Sequence, residues 1–171
     1  MNISLMDKTA LVTGGSRGIG RSIAIALSEA GANVIFTYNS SFKDAEETVG
    51  AITNNGKKFK PIKIDVSDES AITKLFEELD ESHISIDILV NNAGIILEKP
   101  TIETSISEFD KLMNINLKGT FLIGRETLKR MVIKGLRGRI INISSDLGFL
   151  GRESFAIYSA SKGAINAMTK S

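Results

Sequence analysis

Short apolar, β-branched runs alternate with longer helix-forming stretches from Thr9 onward, and this alternation limits the fold more than any other feature. Thr9–Thr13 (TALVT), Asn33–Thr37 (NVIFT), Phe59–Ile64, Ile86–Val90 (IDILV) and Arg139–Ile143 (RIINI) read as strands. Ile19–Ala30, Lys43–Thr53, Asp68–Glu81 and roughly Ser107 to Lys134 read as helices, and the chain turns helical again from Phe155. Gly31 closes the first helix, Asn54-Asn55-Gly56 stops the second, and Asp68 can cap the third. IDILV and RIINI suit strands buried on both faces, as parallel sheets require. Strands separated by helices of this length predict an α/β fold, a doubly wound parallel sheet with helices on both faces. Five strands are visible, where doubly wound nucleotide folds usually have six.

Charge and composition narrow the function. Lys plus Arg is 21 and Asp plus Glu is 20, so the net charge of +1 offers no basic field for nucleic acid or an anionic membrane. Without cysteine, thiolate nucleophiles and thiolate metal sites are excluded. His83 is the only histidine, which argues against a zinc site or a His-based triad. Met1 to Lys8 has no apolar signal core, and no run approaches membrane-spanning length. The expectation is a cytoplasmic protein acting on small molecules through Ser, Tyr, Lys, Asn or carboxylates.

Thr13-Gly14-Gly15-Ser16-Arg17-Gly18-Ile19-Gly20 lies between the first strand and the first helix. Glycines there permit a sharp turn and leave space for a pyrophosphate against the helix N-terminus. The second strand is followed by Thr37-Tyr38-Asn39-Ser40-Ser41, with no carboxylate before Asp44 to bind the ribose hydroxyls of NAD. Arg17 can instead pair with a 2′-phosphate, and Asn39 and Ser40 can donate to it, so NADP(H) is the expected cofactor.

Tyr158-Ser159-Ala160-Ser161-Lys162 places a phenol and an ammonium four residues apart, on one helix face. A neighbouring cation favours the phenolate, which suits a tyrosine to proton transfer near neutral pH. Glu98, Glu103 and Glu108 have no partner for paired-carboxylate chemistry and read as solvated positions. Met113, Met131 and Met168 read as core filler, and His83 as a surface residue near a helix end.

TGGSRGIG, with its Gly14, Gly18 and Gly20 spacing, resembles the TGxxxGIG hallmark of the short-chain dehydrogenase/reductase family, a Rossmann-type family. In that family a basic residue in the turn accompanies NADPH preference. The resemblance extends over essentially the whole chain. It implies that Asp65, in Asp65-Val66, contacts adenine, although Asp65 could equally cap its own turn. It further implies that Asn92-Ala93-Gly94, within NNAG, lies along the cofactor. Ser145, thirteen residues before Tyr158, matches the family's catalytic serine; Ser144 is the nearest competitor. Asn116, in Asn114-Ile115-Asn116-Leu117-Lys118-Gly119, matches the asparagine that holds a water linked to Lys162, although it could instead be a buried helix amide needing partners. The implied mechanism has Tyr158 protonate an alkoxide, Ser145 orient the oxygen, and Lys162 hold the nicotinamide ribose.

Within the family the chain is most similar to bacterial 3-oxoacyl-acyl-carrier-protein reductases of fatty acid synthesis, through SRGIG, TYNSS and INLKGTF. The implied substrate is a small-molecule carbonyl or acyl thioester, with other ketones, sugars or alcohols as alternatives. The resemblance also implies a homo-dimer or homo-tetramer. Members usually continue past the Tyr–Lys helix into further strands and a substrate loop. Residues 1–171 are therefore expected to form a single NADP(H)-binding domain lacking those parts. Two further readings stay open, a cofactor-binding module without turnover and an assembly subunit.

Overall fold

The computed structural model describes residues 4–52 and 61–171. Five strands, β1 (Thr9–Val12), β2 (Asn33–Tyr38), β3 (Ile62–Lys63), β4 (Ile88–Asn91) and β5 (Arg139–Asn142), form one sheet in the order β3-β2-β1-β4-β5. Every pairing is parallel, and Leu11 of β1 stands in register with Ile35 of β2 and Leu89 of β4. The chain moves outward from β1 to β3, then returns across β1 to β4. Strand order therefore reverses beside β1, where open parallel sheets form a ligand crevice at the strands' carboxyl ends. Thr53, the Asn54-Asn55-Gly56 stop, and Phe59 and Lys60 of the predicted third strand lie outside the described residues.

The helices are α1 (Gly18–Glu29), α2 (Phe42–Ile52), α3 (Glu69–Glu81), α4 (Ile106–Met113), α5 (Gly119–Ile133), α6 (Leu147–Leu150) and α7 (Ala156–Lys170). Asp68 caps α3, accepting from the amides of Ser70 and Ala71. Helix α1 closes with Gly31 at φ +98°, where Ala32 N donates to Leu27 O and Gly31 N to Ser28 O. His83 does the same work after α3: at φ +54° it lets Ile84 N donate to Leu79 O and its own N to Asp80 O. This exposed histidine at a helix end thus adopts a conformation that glycine usually fills.

Strand periodicity divides the core. Leu11, Ile35 and Leu89 point to one face, against Ile72, Leu75, Phe76 and Leu79 of α3 and Leu122 and Ile123 of α5. Ala10, Val12, Val34, Phe36 and Val90 point to the other, against Ala24 of α1 and Ala45 of α2. Full burial of one large aliphatic side chain contributes about 1.5–3 kcal/mol, so both layers hold the strand ends firmly in register.

Three features depart from the sequence-based expectation. The predicted helix from Ser107 to Lys134 is two α-helices joined by a π-helical turn, Asn114–Lys118. Arg139–Ile143 is not a fully buried strand: Arg139 and Ile141 are exposed, the latter by 46%. Among the described strands β5 has a neighbour on one side only, so its flanks are less covered than those of β4, whose four residues are all buried. The short helix α6 was not expected; Asp146 caps it through Leu147 N. Of the methionines, Met131 is in the core, while Met113 and Met168 are half-buried.

Candidate active site

At the end of β1 the buried hydroxyl of Thr13 accepts hydrogen bonds from the amides of Asn92 and Ala93, each at 2.9 Å. The loops after β1 and β4 are thereby stitched together. Asn92 adds a second stitch, donating through Nδ2 to the carbonyls of Thr13 (3.0 Å) and Gly14 (3.2 Å). Gly14 and Gly18 have φ of +65° and +53°, the left-handed region open to glycine. A methyl group on Gly20 would overlap the Gly14 carbonyl, so α1 can approach the turn only with glycine there. Nothing lies within 4 Å of the position a Gly18 side chain would take.

Helix α1 begins without a side-chain cap at Arg17, and its hydrogen-bond ladder starts with Arg21 N donating to Arg17 O. The amides of Gly18, Ile19 and Gly20 precede that first rung and have no carbonyl one turn back. Such an end carries partial positive charge and presents amide donors, which suits a phosphate.

A cleft of about 430 Å³ opens along the strand ends. Gly14, Ser16, Arg17, Gly18, Ile19 and Gly20 line it from the glycine turn, and Asn39 and Ser40 from the end of β2. Asp65 and Val66 follow β3, and Asn92, Ala93 and Gly94 follow β4. Tyr158 and Lys162 complete it from α7. Every residue that the sequence assigned to the cofactor therefore meets in one space. Arg17 is exposed and forms no ion pair among the described residues. Asp65 lines the cleft and also caps its turn, accepting from Ser67 N at 2.9 Å and Ser67 Oγ at 2.7 Å.

Other lining residues were not assigned to the cofactor from sequence: Thr37, Tyr38 and Ile64, then Ile95, Ile96 and Ile115, with Ile143 and Ser144. Their only signal is position, since most stand at or just past the carboxyl end of a strand.

Lys162 lies inside α7 at 6% exposure, and its ammonium donates to Ile143 O at 2.8 Å. Burial holds its pKa below the ordinary lysine value. The ammonium sits 5.7 Å from the centroid of the Tyr158 ring, as the four-residue spacing predicts. Phe155 packs edge-on to that ring at 6.3 Å.

Ser145 and Asn116 are placed differently. Ser145 does not line the cleft, and no hydrogen bond joins it to Tyr158 among the described residues. Its hydroxyl donates to Asp146 Oδ1 at 2.9 Å and accepts from Leu147 N at 3.2 Å, within its own turn. Ser144 does line the cleft and donates to Lys162 O at 3.2 Å. Asn116 sits in the π-helical turn, fully buried behind Gly94. Its Oδ1 accepts from Ile95 N at 2.8 Å, and its Nδ2 donates to Ile95 O (2.9 Å) and Ser161 Oγ (3.2 Å). The asparagine is thus a satisfied buried amide that fixes the chain after β4.

Arg21 was also missed. It reaches from α1 to α2, pairing with Glu47 at 3.2 Å and, at 4.0 Å, with Asp44, the first carboxylate after β2. No helix among the described residues is long and apolar enough to cross a membrane.

Comparison with known proteins agrees with this arrangement. A family model described as short chain dehydrogenase matches residues 8–171. A 3-oxoacyl-[acyl-carrier-protein] reductase of Aquifex aeolicus is 41% identical over all of this chain and 68% of its own length. An NADP-dependent (R)-specific alcohol dehydrogenase of Lentilactobacillus kefiri is 39% identical over all of this chain and 67% of its own. The crystal structure of a dehydrogenase/reductase from Sinorhizobium meliloti 1021 superimposes with a TM-score of 0.88 at 38% identity, covering 98% of this chain and 66% of that one. The chain spans about two thirds of the length of these relatives.

Proposed function

Because this chain belongs to the short chain dehydrogenase family, whose members are oxidoreductases, we propose that it interconverts a carbonyl and a secondary alcohol with NADP(H). The observation that carries the reading is the convergence of the glycine turn, the β2 end, the NNAG loop and the Tyr158–Lys162 face on one cleft. The cleft fits a dinucleotide: it has glycines with no side chain to fill it, uncapped amides for the pyrophosphate, and an exposed Arg17 beside Asn39 and Ser40 for a 2′-phosphate. Asp44, the first carboxylate after β2, is drawn toward Arg21. The alcohol dehydrogenase relative described as NADP-dependent supports the same choice.

The nicotinamide, when bound, supplies the hydride to the carbonyl carbon. Tyr158 gives its phenolic proton to the oxygen, and Ser145, turned from Asp146, orients that oxygen. Lys162 has three donors, of which Ile143 occupies one, leaving others for a ribose hydroxyl. Asn116 supports the loop after β4 and stands as the candidate to hold a water linked to Lys162. A 3-oxoacyl thioester is the proposed substrate, on the likeness to the Aquifex reductase. Assembly into a homo-dimer or homo-tetramer fits the exposed Phe121, Leu128 and Val132, which share one stripe of α5.

The test is titration with NADPH and NADH, followed by NADPH oxidation with an acetoacetyl thioester, for wild type and Tyr158→Phe. Tighter NADPH binding and turnover that the variant loses by about 10²-fold or more are expected. NADH binding at least as tight would overturn the cofactor choice. Binding with no turnover on any ketone would leave a cofactor-binding module.

A further inference from the structure

We propose that Arg21, which lies outside the cleft, sets dinucleotide affinity by fixing the orientation of the Ser16–Arg17 peptide; the inference rests on the dinucleotide reading of the cleft. Three donors converge on the Ser16 carbonyl: Arg21 Nη2 at 2.7 Å, Arg21 Nε at 2.9 Å, its one hydrogen shared with Thr48 Oγ1, and Thr48 Oγ1 at 3.0 Å, its one hydrogen shared with Asp44 O. A carbonyl oxygen has two lone pairs, so this one is fully committed. The donors are themselves held. Arg21 Nη2 also donates to Asp44 O at 3.0 Å, its Nη1 pairs with Glu47 at 3.2 Å, and Thr48 is fully buried on α2.

The chain has no cis peptide bond among the described residues. In a trans peptide the C=O and the N–H point to opposite sides. Anchoring the Ser16 carbonyl toward α2 therefore turns the Arg17 N–H away from α2, and that N–H has no partner among the described residues. Ser16, Arg17 and Gly18 all line the cleft. If the anchor is lost, the peptide is free to rotate and can place a carbonyl oxygen where an amide donor stood. An anion at the helix N-terminus would then face partial negative charge in place of a hydrogen bond. Arg21 is in this sense a positioning residue: it acts on the pyrophosphate through Ser16 and Arg17.

A plain brace between α1 and α2 would make a different prediction, since loosening both helices would weaken every ligand of the cleft alike. The experiment measures dissociation constants of NADPH, ADP and 2′-AMP for wild type, Arg21→Met, Thr48→Val and Thr48→Ser. ADP carries the pyrophosphate, whereas 2′-AMP carries only the phosphate at the far end. Thr48→Val, which keeps the Arg21–Asp44 pair, is expected to weaken NADPH and ADP about tenfold and leave 2′-AMP unchanged; Arg21→Met is expected to weaken NADPH and ADP at least as much. Thr48→Ser, which keeps the hydroxyl, restores wild-type affinity. Should Arg21→Met fail to fold, the Thr48 pair makes the same comparison. Unchanged NADPH affinity in Thr48→Val, or equal losses for ADP and 2′-AMP in that variant, overturns the inference alone. A wild-type chain that binds none of the three overturns the cleft reading and the inference with it.

Discussion

The Lys162 ammonium donates to the main-chain carbonyl of Ile143 at 2.8 Å from a side chain only 6% exposed. A cation in that position has lost most of its hydration and gained a single neutral acceptor, which accounts for its lowered pKa. Such a group weakens the fold wherever it is charged. Between the folded and unfolded pKa values the unfolded chain holds more protons, so stability rises with pH. We expect the unfolding free energy of wild type, relative to Lys162→Met, to climb as pH rises toward the ordinary lysine pKa. The lost hydrogen bond sets the offset between the two proteins and leaves the slope untouched. Urea unfolding at several pH values measures it, and a difference that stays flat would show that the ammonium is not penalised.

Asn116 satisfies both main-chain polar groups of Ile95 and reaches Ser161 Oγ, which in turn donates to Tyr158 O at 2.7 Å. The loop after β4 and the Tyr158 helix are thus tied through one buried amide. Asn116→Leu keeps a similar volume but leaves an N–H and a C=O without partners, at a cost of about 2–4 kcal/mol. Urea denaturation tests this, and a loss below about 1 kcal/mol would mean that water replaces the amide. NADPH affinity should fall with it, because Ile95 lines the cleft.

Residues that line the cleft were legible because their constraint is local. Gly14 and Gly18 need positive φ, and Tyr158 and Lys162 share a helix face whatever surrounds them. Asp68 and Gly31 announced helix ends for the same reason. Long-range partners left no such trace. The bond between Arg21 and Ser16 spans five residues, but its meaning depends on Thr48, which only tertiary packing brings beside it. The π-helical turn at Asn116 likewise places its side chain against Ile95 and Ser161, partners distant in sequence. RIINI reads as an interior strand because its composition is apolar, and among the described strands it has a neighbour on one side only.

Glu108 read as a solvated carboxylate, yet it closes a capping box with Ser105 at the start of α4 and pairs with Lys99 at 2.9 Å. The Ser105 amide first, then the Lys99 ammonium and the Ser105 hydroxyl, hold its pKa at about 2, against an ordinary 4.5. A carboxyl group with a depressed pKa stabilises the fold fully above its unfolded value, and that contribution disappears as pH falls through the folded one. Wild type should therefore exceed Glu108→Gln in stability by a constant amount above pH 4.5, with the gap closing as pH falls toward about 2. Acid unfolding curves decide it. A gap independent of pH across that window would assign the effect to the side chain's shape.

His83 supplies the last test, since it is one of three non-glycine residues with positive φ among those described. Its backbone must be left-handed for Ile84 N to reach Leu79 O and for Ile84 to pack against the core below α3. A side chain with a Cβ pays steric strain there that glycine avoids. His83→Gly should stabilise by about 0.5–1 kcal/mol, raising Tm by about 1–4 °C for a chain of this size. His83→Ala keeps the Cβ and removes only the imidazole, so it should gain nothing. Thermal unfolding of both variants separates the causes: equal gains would trace the effect to the ring, and a gain in glycine alone traces it to φ.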